Sequence, residues 1–168
     1  MKKGVGDNKE KKEKGVSWKV LLVCLLIVFI IAFIGSRFNY SGEWYNSVKP
    51  GITPPNWVFP VAWSILYILI ALSLYFVWIS GKERGKITLI YGFNLIANAL
   101  WIYLFFGLKK PTAAFIDIIL IWLSIIAMMI LAFKINKKAG WMLTPYFLWV
   151  SFASILNLLI VLAWQNQV

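Results

Sequence analysis

Five long apolar runs constrain this chain more than any other feature of it. They span Trp18–Ser36, Val58–Ser80, Ile87–Leu108, Pro111–Phe133 and Trp141–Trp164. Each is close to the ~20 residues needed to cross a hydrocarbon core. In lipid a backbone amide must bond within its own segment or within a closed barrel, so runs of this length predict helices. Composition agrees: 61% of the 168 residues are apolar and 14% charged, against about a quarter charged in a soluble domain. The sequence therefore predicts an all-α membrane protein, a five-transmembrane-helix bundle over residues 18–168. Ahead of it lies a Lys-rich tail, residues 1–17, too polar to build a core and expected to be disordered. The first run lacks a small-residue cleavage site before Arg37 and reads as a retained helix.

The net charge of +11 does not point to nucleic acid, because the Lys and Arg residues sit at the ends of apolar runs. In a membrane protein that is where orientation signals lie. Thirteen basic residues fall on one side (the tail with Lys19, the 81–86 loop and the 134–138 loop) and four on the other, namely Arg37, Lys49, Lys109 and Lys110. This bias predicts a cytoplasmic N-terminus, an extracytoplasmic C-terminus, and the long first loop, 37–57, on the outer side. The tail is expected to act as an orientation signal, with binding to anionic membrane lipid as the lesser role. The single cysteine, Cys24, and the absence of histidine exclude an intramolecular disulfide, a multi-Cys metal site and His-based catalysis. No required cofactor and no metal are expected. Five helices without an internal repeat do not divide into inverted halves, which disfavours the common transporter architecture.

The few polar residues inside the runs are informative because lipid penalises them. Asp117 is the one acidic residue within a run; charged at mid-helix it costs roughly 2.5–3.5 kcal/mol to insert, so it should face the bundle interior or be protonated. Asn94 and Asn98 share a helix face with Trp101, as do Trp149, Ala153 and Asn157, and Trp63 and Tyr67. At ~1.5 Å per residue, Trp63, Trp101 and Asp117 lie about 9 Å below the outer ends of their helices, with Asn98 at about 14 Å and Trp149 and Asn94 at roughly 20 Å. Polar and aromatic groups of four helices thus converge in the outer half of the bundle. Above them runs a loop stiffened by Pro50, Pro54 and Pro55. The pattern predicts an apolar pocket with a few polar anchors under a stiff lid. Plainer accounts stand beside it. Trp18, Trp44, Trp57, Trp78, Trp141 and Trp164 lie near run ends, where interface belts absorb tryptophan. The inner tryptophans can be core, and the asparagines can be helix–helix hydrogen bonds worth about 0.6 kcal/mol. Pro60 and Pro145 fit helix starts.

Three segments in order, "WYNSVKPGITPPNWVFPVAWSILY", "NLIANALWIYLFFGLKKPTAAFIDI" and "PYFLWVSFASILN", resemble the TspO/MBR family of tryptophan-rich sensory proteins and translocator proteins. The likeness runs from about Trp44 to Trp164. It implies a five-helix bundle, often a homodimer, with a pocket beneath the first loop that binds porphyrins and other planar hydrophobic molecules. Carried over by motif are Pro54, Pro55, Trp63, Asn94, Asn98, Asp117 and Trp149; with Trp57 from the rim and Tyr67, Trp101 and Ala153 from the shared helix faces, they make up the expected ligand-binding set. The expected function is a membrane receptor for porphyrins and related tetrapyrroles, in tetrapyrrole homeostasis or stress response. The alternatives are light-dependent porphyrin degradation through Trp63 and Trp149, and transport of tetrapyrroles or lipids. The aromatic-and-basic sterol motif of animal members has no counterpart in "LNLLIVLAWQNQV".

Overall fold

The computed structural model describes residues 17–36 and 42–165, without the side chains of residues 31 and 34–36. The expected disorder of the basic tail concerns residues that, apart from Ser17, lie outside this range, as does Arg37. The described chain forms α1 (Trp18–Ser36), α2 (Glu43–Val48), α3 (Val58–Trp78), α4 (Arg84–Ile102), α5 (Pro111–Ile135), α6 (Lys137–Met142) and α7 (Thr144–Gln165). A π-helical turn, Tyr103–Gly107, continues α4.

Among the described residues, four stretches are long and apolar enough to cross a membrane: Val58–Trp78, Arg84–Gly107, Pro111–Ile135 and Lys137–Gln165. With the apolar α1 they make the expected all-α membrane bundle. α1 packs on α3 and α4, α4 on α5, and α5 on α7, while α6 sits against α3 and α5. Helices that are apolar all round belong in lipid. Leu22, Leu26, Leu89, Ile96, Ile116 and Leu148 face outward, whereas Val28, Ile70, Ile87, Ile125 and Val150 fill the interior.

Local chemistry sets the element ends. Pro111 occupies the first turn of α5, where its missing N–H costs nothing. Asn136 caps α6, its Oδ1 accepting from the N–H of Lys138 at 2.9 Å and of Ala139 at 3.4 Å, as favoured N-cap residues do. The fifth apolar run is therefore not one helix from Trp141: α6 and α7 meet at Leu143. Gly140 lets α6 approach α5, since a Cβ there would lie 2.5 Å from the Phe133 ring.

Two ends of the bundle can be distinguished. The turn end carries the 81–83 connection and α6; there the Ser73 hydroxyl donates to the Ala139 carbonyl at 2.9 Å and pairs with the Tyr91 hydroxyl at 2.8 Å, tying α3, α4 and α6 together. The loop end carries the segment after α1. That segment is not only a proline strap, for α2 forms within it, and turns come after α2 in which Thr53 N–H donates to Pro50 O and Val58 N–H to Pro55 O.

Candidate functional site

A cavity of about 620 Å³ opens among the helices at the loop end, within the usual range of ~300–1,000 Å³ for small-molecule pockets. Its walls are apolar and aromatic. α3 contributes Phe59, Trp63 and Tyr67; α4 and its π turn contribute Asn98, Trp101, Phe105 and Phe106; α7 contributes Trp149, Ala153 and Asn157. Ile118 and Ile121 of α5 and Phe29 and Phe33 of α1 close the sides, and Tyr45 of α2 reaches in from the loop.

Aromatic contacts anchor the loop helix. Trp44 meets Phe105 edge-on at 5.5 Å and Trp164 at 5.9 Å, and Tyr45 meets Phe106 at 5.6 Å. Phe105 in turn stacks on Trp101 with ring centroids 4.9 Å apart and planes 18° from parallel. Such pairs are each worth about 0.5–1.5 kcal/mol beyond the area they bury. The π turn, with Leu108 N–H donating to Tyr103 O at 2.9 Å, brings the adjacent Phe105 and Phe106 both onto the wall. π turns inserted in α-helices occur frequently at functional sites. Burial pushes the Tyr45 phenol above its ordinary value, opposed to a lesser extent by the Thr53 side chain, so Tyr45 meets the cavity as a neutral ring.

Two polar networks stand behind the wall. In the first, Trp101 Nε1–H donates to Asn157 Oδ1 at 3.0 Å, and Asn157 Nδ2 donates to the Pro111 carbonyl at 3.0 Å. This fixes the Trp101 indole in its plane and ties α4 to α7 and to the start of α5. In the second, Asn94 Nδ2 donates to Ser124 Oγ at 2.8 Å, Asn98 Nδ2 donates to Tyr146 Oη at 2.6 Å and to the Asn94 carbonyl at 2.8 Å, and Tyr146 Oη–H donates to Asn94 Oδ1 at 3.1 Å. Asn98 thus commits its N–H groups to the protein and keeps its carboxamide oxygen for the cavity. Trp149 differs from Trp101. It packs edge-on to Phe59 at 5.9 Å, and its buried Nε1 has no hydrogen-bond partner among the described residues.

Of the residues expected from sequence, Trp63, Tyr67, Asn98, Trp101, Trp149 and Ala153 come together on the cavity wall. The others do not lie on it. Trp57, expected at the rim, stands outside and is 68% exposed, because it caps α3 ahead of the first inward-facing residue, Phe59. Pro54 and Pro55 shape the segment between α2 and α3 without lining the hollow. Asn94 is fully buried, its side chain engaged by Ser124, Asn98 and Tyr146. Asp117 is interior, 5% exposed, with Oδ2 unpartnered among the described residues, yet it lies off the wall. Tyr45, Asn56, Phe59, Phe105 and Phe106 join the wall without having been expected there. The adjacent aromatic pairs 44–45 and 105–106 are the signal that could have found most of them.

A family model described as the TspO/MBR family matches residues 21–162. The chain belongs to the TspO/MBR family. It is 40% identical over 148 residues to the tryptophan-rich protein TspO of Archaeoglobus fulgidus, an alignment covering 84% of this chain and 95% of that one. It is 35% identical over 143 residues to the tryptophan-rich protein TspO of Chlorobaculum tepidum, covering 82% and 90%. To the translocator protein of Homo sapiens it is 32% identical over 135 residues, covering 74% and 78%. The span matched to the TspO/MBR model runs from within α1 to within α7, so it contains every residue of the cavity wall, from Phe29 to Ile160.

Proposed function

We propose that this TspO/MBR protein is a membrane receptor that binds porphyrins or related planar tetrapyrroles in the loop-end cavity. The observation that carries the reading is the make-up of the wall. Trp63, Trp101 and Trp149 bound one hollow together with Phe59, Phe105 and Phe106. Flat indole faces suit a flat macrocycle, and orienting groups in a mostly apolar pocket fix its angle. Here the Asn98 carboxamide oxygen serves that purpose, and α2 acts as the lid. On the distribution of Lys and Arg, the loop end is extracytoplasmic and the N-terminus cytoplasmic. A place in tetrapyrrole homeostasis or stress response accords with the ligand class.

The test is an equilibrium titration of the purified protein with protoporphyrin, read by tryptophan quenching and by the porphyrin absorbance. Trp63→Phe with Trp149→Phe should weaken binding about tenfold or more, through reduced stacking area. Trp122→Phe with Trp141→Phe, both off the wall, should leave it within about twofold. Equal affinity of wild type and the Trp63/Trp149 double variant would refute this placement of the ligand.

A further inference from the structure

The turn end of the bundle holds a second concavity, between α4 and α5, built on different chemistry. Its rim is cationic: Lys82 from the connection before α4, Lys86 from the first turn of α4, and Lys134 from the last turn of α5. Its floor is aliphatic, made by Ile90, Ala127, Ile130 and Leu131. Among the described residues its one acidic group, Glu83, is paired with Lys86 at 2.8 Å, so three lysines face one carboxylate and these residues leave surplus positive charge in the groove. Arg84 lies beside it but is turned onto the Trp78 ring, 5.4 Å from the centroid. The N-cap of α4, Glu83, has a φ of 51° and makes no side-chain cap. First-turn N–H groups of a helix attract anions, and Glu83 and Lys86 from this helix start line the groove.

The register gives the groove its shape. Lys86 and Ile90 are one turn apart on α4; Ala127, Ile130, Leu131 and Lys134 share one face of α5. From Lys134 down to Ala127 is seven residues, or about 10 Å along the helix. The small Ala127 side chain leaves room that a larger one would fill. Ile130 of the floor is 53% exposed, and Leu123, seven residues before it on α5, is 52% exposed. A cationic rim over an aliphatic trough is the inverse of an amphiphile with an anionic head.

We propose that this groove binds one anionic phospholipid, its phosphate among Lys82, Lys86 and Lys134 and an acyl chain along Ile90, Ala127 and Ile130. A free phosphate would leave the aliphatic floor unused. A zwitterionic lipid would bring its own cation to the lysines. This site is independent of the porphyrin reading and lies at the opposite end of the bundle.

Native mass spectrometry of the full chain in detergent, titrated with dioleoylphosphatidylglycerol, dioleoylphosphatidylcholine or inorganic phosphate, tests it. Phosphatidylglycerol should saturate at one retained molecule per chain, with phosphatidylcholine at least about tenfold weaker. Lys86→Gln with Lys134→Gln should cost at least about tenfold, since each lysine near an anionic lipid surface is worth roughly fivefold. Lys137→Gln with Lys138→Gln removes the same charge from the same end outside the groove and should change affinity less than about twofold. Ala127→Leu, which fills the trough and leaves the charge intact, should weaken phosphatidylglycerol several-fold; unchanged thermal midpoints confirm intact folds. Equal losses in the two lysine pairs, equal retention of the two lipids, or full competition by inorganic phosphate would each overturn the proposal.

Discussion

At the turn end of the bundle, Ile70, Ala71, Val77, Ile87, Ile125 and Met128 are fully buried against one another. A few turns along α3 and α4, Trp63 and Trp101 stand with Trp149 of α7 around about 620 Å³ of space. The difference lies in how side chains are braced. Branched aliphatics and methionine interdigitate to near-crystalline density. The loop-end rings are held instead by partners that fix their planes: Trp101 by the Phe105 stack and the Asn157 hydrogen bond, Trp63 by Tyr67, with ring centroids 5.3 Å apart. Rings fixed in this way cannot fold inward to fill the hollow. A membrane bundle can thus carry a packed foundation and a preformed hollow side by side.

Matched substitutions put this contrast at risk. The largest effect is expected from Ala71→Phe, which forces a ring into the solid end. It should destabilise by more than about 3 kcal/mol, beyond the usual cost of overpacking by one or two methylenes, and be seen as loss of monodisperse protein or a collapsed thermal midpoint. Tyr146→Phe comes next. It leaves Asn94 Oδ1 without the Tyr146 donor and removes the acceptor of the shortest Asn98 bond, for an expected cost of about 1–3 kcal/mol; thermal unfolding in detergent measures it, and a neutral result would mean that the network does not brace the wall. Trp101→Phe should be mildest in stability, about 1 kcal/mol for the lost Asn157 bond. It should nevertheless weaken protoporphyrin binding, so a variant that loses stability and keeps full affinity would separate Trp101 from the site.

Much of this is legible in the sequence, for a physical reason. Lipid forces apolar runs into helices, and helical periodicity with a fixed rise converts residue number into face and depth. That alone brings Trp63, Tyr67, Asn98, Trp101, Trp149 and Ala153 to one wall. The features that escape it depend on tertiary contact. The helix α2 exists because Trp44 and Tyr45 find Phe105, Phe106 and Trp164, partners distant in the chain, and nothing local in a six-residue stretch announces them. The π turn that presents Phe105 and Phe106 together shifts the helical count by one, so periodicity misplaces the residues beyond it. Periodicity turns Asn94 inward, as found, but cannot show that its amide is already engaged, because its partners Ser124 and Tyr146 come from other helices. Proline content suggests a stiff lid, whereas the contacts that hold the lid down are aromatic.

The most direct measurement is the protoporphyrin affinity of Ala153→Phe, with its thermal midpoint taken in parallel. Ala153 lines the hollow and has space in front of it, so the added ring should be accommodated without loss of stability while occupying the volume a macrocycle needs. If the hollow is the binding site, affinity falls at least about a hundredfold and the midpoint stays at or above that of wild type. Undiminished affinity in a stably folded Ala153→Phe protein would contradict it.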